Sequence, residues 1–182
     1  PRLEDVEGRL LWQGGVLQAQ VEHAQSHGVE VSQGTIRMEK EQPLQLSGSL
    51  QSDGASLLNF VQAMPDMDTL PRSDITVDGI IEGDIALVLP LDNEEALQLE
   101  INARPALSAV RYASLPITLR DLEGGLSWQQ VGEAHALLGE LSSQWQGGDI
   151  RAELMADQRV ALQGSVESSA LWSLAGLPAE QA

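Results

Sequence analysis

The sequence predicts a mainly β protein whose long antiparallel strands form a curled groove, with tandem repeats and one or two short helices. Three observations carry this. Residues 75–91 alternate with period two over an unusual length. Turn residues divide most of the remaining chain into short alternating runs. A block near the start of the chain recurs 116 residues later.

The run ITVDGIIEGDIALVLPL places Ile75, Val77, Gly79, Ile81, Gly83, Ile85, Leu87, Leu89 and Leu91 on one face. Period two means a β-strand with one apolar side. At about 3.3 Å per residue the run reaches roughly 55 Å, against ~17–20 Å for an ordinary strand. Strands of that length belong to extended sheets that curl around something. Gly79 and Gly83 lie on the apolar face, where they let the sheet bend or bulge.

Residues 3–12, LEDVEGRLLW, read as a strand with a phase break, since Leu3 is out of step with Val6, Gly8, Leu10 and Trp12. Gly14-Gly15 makes a hairpin turn, and residues 16–24 return with Leu17, Ala19 and Val21 inward. Ser26-His27-Gly28 turns the chain again. Val29 and Val31 predict a short strand, Gly34 a turn, and Ile36 with Met38 a further strand. After Pro43, Leu44, Leu46, Gly48 and Leu50 alternate. At 55–64 the period becomes helical through Leu57, Leu58 and Val61. Ser52 or Asp53 is the natural cap, and Pro65 ends the helix. A two-proline loop, 64–74, leads into the long strand. Asp92-Asn93-Glu94 turns it back. Leu97, Leu99, Ile101 and Ala103 then make an antiparallel strand that Pro105 is expected to break. Leu115, Ile117 and Leu119 alternate in the segment after it.

LRDLEGGLSW at 119–128 nearly copies LEDVEGRLLW, phase break included: Leu3, Asp5, Glu7, Gly8, Leu10 and Trp12 become Leu119, Asp121, Glu123, Gly124, Leu126 and Trp128. At the same offset LQLSGSLQS (44–52) lies over VALQGSVES (160–168), and an apparent short helix follows each, the second at 169–177. We therefore expect one elongated segment over 1–182, with one repeat unit at about 3–118 and a partial one at about 119–182. Such units stack lengthwise, so a piece of the array has raw sheet edges at both ends.

The chain has 182 residues, 42% of them hydrophobic but only 3% aromatic, so the apolar mass is aliphatic. With 27 acidic against 10 basic residues the net charge is −17. This disfavours nucleic acid and anionic membrane surfaces, and salt adaptation of the host is a second source of such acidity. No cysteine is present, which excludes disulfides, thiolate catalysis and cysteine-zinc sites. No apolar stretch approaches ~20 residues. The opening at Pro1, in a strand lead-in, leads us to expect a segment of a longer protein.

Catalytic and metal chemistry find little support. His23 and His27 are spaced for a metal only on a helix, and they straddle a strand end and a turn. His135 stands apart. Asp66, Asp68 and Asp74 lack the glycine and terminal glutamate of a calcium loop. Asp92, Glu94 and Glu95 read as a solvated turn. No nucleophile elbow, P-loop or dinucleotide fingerprint occurs. We expect no enzyme, no cofactor and no metal. Trp12 and Trp128 read as packing residues, with a place at a groove rim as the alternative.

The repeated L-x-D-(V/L)-E-G-x-L-x-W block, the L-x-L-x-G strand before a short helix and the glycine-punctuated run at 75–91 resemble the AsmA-like superfamily of Gram-negative bacteria, most closely its YhdP branch. The resemblance covers nearly the whole chain. It implies a U-shaped "β-taco" with an apolar groove, in a protein anchored in the inner membrane and extending across the periplasm. It also implies bridge-like transport of phospholipid toward the outer membrane. The family's membrane anchor is absent here, so this chain would be one segment of the conduit, with adjacent repeats of the same parent chain as partners.

On this reading acyl chains lie along Ile75, Val77, Ile81, Ile85, Leu87 and Leu89, and Leu97, Leu99, Ile101, Leu115 and Ile117 extend the lining. The competing reading is a ligand-free structural or adhesive β-sandwich module of an exported repeat protein, in which the same residues are ordinary core.

Overall fold

The computed structural model describes residues 4–62, 75–91, 96–113, 117–157 and 159–166. It is mainly β, as expected. Ten strands form one antiparallel sheet, open and curled, in the order of the chain. They are β1 (Glu4–Gln13), β2 (Val16–Ser26), β3 (Val29–Met38), β4 (Leu44–Asp53), β5 (Ile75–Leu89), β6 (Gln98–Tyr112), β7 (Ile117–Val131), β8 (Ala134–Trp145), β9 (Gly148–Leu154) and β10 (Val160–Gly164). One helix, α1 (Gly54–Gln62), follows β4. Leu115, the loop at 64–74, the turn at 92–95 and the expected helix at 169–177 lie outside the described residues.

Hairpin chemistry sets the strand order. Gly14-Gly15 takes φ of 61° and 83°, and His27-Gly28 takes 53° and 81°. Positive φ at both central residues gives the turn whose twist matches that of the flanking strands. Gln146-Gly147 repeats the pattern between β8 and β9, at 48° and 76°.

β5 keeps its face from Ile75 to Leu87, with odd positions shielded and even positions exposed. Two sequence expectations are corrected on either side of it. Gly34 is not a turn: β3 runs unbroken from Val29 to Met38, and the irregularity is a bulge against β4 between Ser32 and Thr35, with Gln33 at φ 52°. Nor does Pro105 end a strand, since β6 passes through it to Tyr112. The β6–β7 pairing skips from Ala103↔Leu126 to Ala106↔Glu123, so the missing proline N–H falls at a lapse in the ladder.

The phase breaks in the repeated block are β-bulges. Asp5 has φ 49° and Asp121 φ 50°, and the register shifts beside each, between Glu4 and Gly8 in β1 and between Arg120 and Glu123 in β7. Aspartate tolerates this left-handed conformation better than most residues. The extra residue lets Leu119 and Leu122 lie on one face despite their odd spacing. β6 makes the same adjustment at Ser108, because Asp78 pairs with Ala109 but Gly79 with Leu107. Gly79 has φ 128°, and a Cβ there would sit 2.6 Å from both the Ala106 carbonyl oxygen and Leu107 Cα. Gly124 has φ 141°, and its Cβ would strike the Glu140 carbonyl.

The best-buried apolar residues among those described are Ala24, Val29, Leu107 and Ala109. All lie toward the rim where α1 packs on β5, β4 and β3. Gly54 starts the helix against Val77, leaving no space for a side chain. Asp53 is the cap: its Oδ1 accepts the Ser56 amide at 2.8 Å and its Oδ2 the Ser56 hydroxyl at 2.7 Å. These bonds hold its carboxyl below the ordinary value of 3.8.

Two predictions follow from this geometry. Gly79→Ala should lower stability by about 2–3 kcal/mol in urea unfolding, because the backbone conformation and the Cβ contact are both unfavourable. Gly125→Ala, whose Cβ would meet nothing within 4 Å, should stay within about 0.5 kcal/mol of the parent protein. A depressed carboxyl stabilises the fold fully above 3.8, and the effect is lost as pH falls through the lower folded value. The protection factors of the α1 amides, exchange rates corrected for the intrinsic pH dependence, should accordingly fall at acid pH in the parent protein, be lower at all pH in Asp53→Ala, and show no acid step in Asp53→Asn.

Candidate functional site

The odd face of β5 is the starting surface. Ile75, Val77, Ile81, Ile85 and Leu87 are all half-buried on it. Leu99 pairs directly with Leu87, and Ile101 with Ile85. Ile117 joins the upper end through Tyr112, which pairs with both Ile75 and Ile117. Leu97 immediately precedes β6, and its carbonyl accepts the Gly132 amide at 2.8 Å. Leu89 closes the strand opposite Leu44 and is the most open of the set, at 37% exposure. The residues expected to line a groove are thus neighbours on one face, apart from Leu115, which is not described.

The surface is larger than 75–117. Cross-strand registers assemble it into rows perpendicular to the strands. One row runs Leu10, Ala19, Ile36, Leu46, Leu87, Leu99 across β1 to β6. Another runs Val31, Leu50, Gly83, Ala103, Leu126, Gly139, Leu154, Val160 across β3 to β10. At about 4.8 Å per strand the second row extends roughly 34 Å. Alternation in β2, β4 and β7 already marked their apolar residues. What single strands could not show was the register that joins them into rows.

The opposite face is mostly polar, Leu11, Ile80 and Val131 apart, and carries cross-strand ion pairs: Arg104–Asp84 at 3.2 Å, Arg111–Asp78 at 2.9 Å and Arg151–Glu140 at 2.9 Å. All are exposed, so each adds little to stability. They do mark which side of the sheet belongs to water.

The apolar face has an energetic consequence. Full burial of a Leu, Ile or Val side chain is worth about 1.5–3 kcal/mol, so leaving about ten of them half exposed forgoes roughly 7–15 kcal/mol. That is comparable to the net stability of a whole domain, about 5–15 kcal/mol. Curling reduces the loss by turning the face on itself, and an apolar ligand would reduce it further. All ten described strands belong to the one sheet, so no second sheet covers this face among the described residues.

The face is not wholly apolar. Gln130 pairs with His135 near the β7–β8 turn. His135, which stood apart in the sequence, stacks on Trp128 with ring centroids 5.1 Å apart and planes within 14°. Trp12, at the position matching Trp128, is exposed on β1. Neither tryptophan is core. His23 lies in strand β2 and His27 in the turn after it, where Ser26 Oγ is 3.2 Å from His27 Nδ1. Among the described residues no group of acidic, histidine or cysteine side chains could hold a metal ion, and no helix is long and apolar enough to cross a membrane.

The two faces predict opposite responses to a carboxylate. Ile85→Asp should reduce the fluorescence of a bound apolar dye several-fold, while Ala86→Asp, one residue on and facing water, should leave it unchanged. No known protein family, curated protein or solved structure matches this chain.

Proposed function

We propose that the apolar face lines a groove that carries phospholipid acyl chains, and that this chain is one segment of a lipid-conducting bridge. The supporting observation is the set of apolar rows that pass from strand to strand on one side of a single open sheet. Acyl chains would lie along Ile81, Ile85, Leu87, Leu99 and Ile101, with headgroups in water at the groove mouth. Contact of this kind is hydrophobic burial and dispersion without directional bonds. It holds a chain without fixing its position along the row, which suits sliding. The resemblance to AsmA-like proteins points the same way. On that reading the parent protein would lie in the periplasm, attached to the inner membrane through an anchor elsewhere in the parent chain, with neighbouring repeats continuing the groove. On this reading the residues act by solvation and no reaction is catalysed.

Purification without detergent, lipid extraction and mass spectrometry test the proposal. Glycerophospholipid should be recovered in near-stoichiometric amount. Ile81→Asp or Leu87→Asp should lower it at least fivefold, while Ala86→Asp retains it. A lipid-free protein whose apolar face is protected from solvent in labelling experiments would overturn the groove and support a closed structural module.

A further inference from the structure

The apolar face changes character where β7 meets β8. The row Leu10, Ala19, Ile36, Leu46, Leu87, Leu99 is apolar from β1 to β6, then continues as Gln130 on β7 and His135 on β8. The next row runs Gly48, Ile85, Ile101, Trp128, Leu137. These two rows and the row through Gly83 hold no lysine, arginine, aspartate or glutamate. His135 is the one side chain in them of the type whose charge changes near neutral pH. The sheet is also notched at this place. β3 pairs with β2 as far as Leu17, close to the hairpin that joins β2 to β1. β9 pairs with β8 from Trp145 only to Gly139, so Ala134–Leu138 have no partner strand on that side among the described residues. At about 3.4 Å per residue the gap is roughly 17 Å long. It opens onto His135, which is exposed, and onto Leu137, at 36% exposure.

Resting on the groove reading, we propose that the notch seats the headgroup phosphate of a phospholipid whose chains lie on the rows, with His135 as its cationic partner. A phospholipid cannot bury its charged headgroup in an apolar lining. Its phosphate must sit where the lining meets water. At the level of Leu87 the wall passes from strand to strand as far as β8, and there it ends in the open. A chain lying on Leu87 and Leu99 brings its polar end to Gln130 and His135 within two strand spacings, about 10 Å.

The neighbours of His135 prepare it for an anion. Trp128 stacks on the imidazole, with ring centroids 5.1 Å apart and planes within 14°. A protonated imidazole over an indole face gains cation–π attraction. The stack also restricts the ring, so less freedom is lost when a ligand binds. Gln130 is held beside it, its Nε2 donating to the Gly132 carbonyl at 3.0 Å.

The charged groups on the surrounding elements are few. Glu133 lies in the β7–β8 turn. Glu100 and Glu140 lie on the water side of β6 and β8, Glu140 paired with Arg151. Asp157 and Arg159 pair with each other beyond the end of β9. Carboxylates favour a protonated imidazole and repel a phosphate, so the imidazolium is the charge that a headgroup meets on this face. A phosphodiester stays anionic across the neutral range, whereas the imidazolium is lost as pH rises. The site therefore prefers phosphate-bearing lipids at mildly acid pH, and the preference fades on the alkaline side.

Competition against a bound apolar dye provides the test, with dioctanoylphosphatidylglycerol and dioctanoylglycerol as ligands of equal chain length. At about pH 5.5 the phosphate-bearing lipid should bind at least fivefold more tightly, and at about pH 8.5 the two should bind alike. His135→Gln should bind both alike at either pH, and His135→Lys should keep the preference at both. The double variant His23→Gln, His27→Gln should behave as the parent protein. Inorganic phosphate, which has no chains, should not displace the lipid at equal concentration. Equal affinity for the two lipids at about pH 5.5 overturns the site and leaves the groove intact. So does a preference that survives in His135→Gln, one that still fades with pH in His135→Lys, or one that is lost in the double variant. Displacement by inorganic phosphate at equal concentration marks a free-anion site and overturns the proposal too. If neither lipid displaces the dye, the groove reading itself fails and this site falls with it.

Discussion

A single-layer sheet is soluble on one side only if every strand keeps its apolar residues in the same phase as its neighbours. A slip of one residue moves a strand's whole apolar set into water. The bulges satisfy this constraint. Where β6 inserts Ser108 opposite Asp78 and Gly79, the apolar face passes from Leu107 to Val110, and β5 stays in phase on the other side. Where β7 inserts a residue at Asp121, the face passes from Leu119 to Leu122, opposite those same β6 residues. Adjacent strands slip together, so the rows survive.

The sequence was most informative where local signals and cross-strand demands coincide. The period of 75–91, the Gly14-Gly15 hairpin and a helix cap at Ser52 or Asp53 needed no partner to be read, and the bonds to Ser56 select Asp53. Gly34 and Pro105 misled because each is a breaker only in isolation. Gly34 belongs to a bulge that β4 accommodates, and Pro105 lies where the β6–β7 ladder lapses beside Gly124. The phase break at Leu119 was visible as an irregularity, and only pairing showed it to be a bulge.

The apolar surface was legible strand by strand but not as a whole. Ile85 and Ile101 each read as inward residues, yet their direct pairing, and the extension to Trp128 on one side and Gly48 on the other, depends on registers set by hairpins and bulges. The stack of His135 on Trp128 had no signal in the sequence beyond a common hairpin. Geometry recurs at matching positions of the repeated block: Asp5 and Asp121 adopt φ values one degree apart, although their surroundings differ on the side of β6. The aspartate conformation thus does not depend on a strand on the β6 side, since the feature common to both is the block itself and the hairpin partner that follows it.

The strand order carries a kinetic consequence. Every ladder among the described residues joins strands that are consecutive in the chain, so none of these pairings waits for a distant segment to arrive. Closing short loops is entropically inexpensive, and folding rates rise as contacts become more local. A chain threaded slowly, from either end, can lay down each hairpin on the last as soon as its residues emerge. Growth from a moving front adds one strand at a time to a single advancing edge, whatever the final length of the sheet.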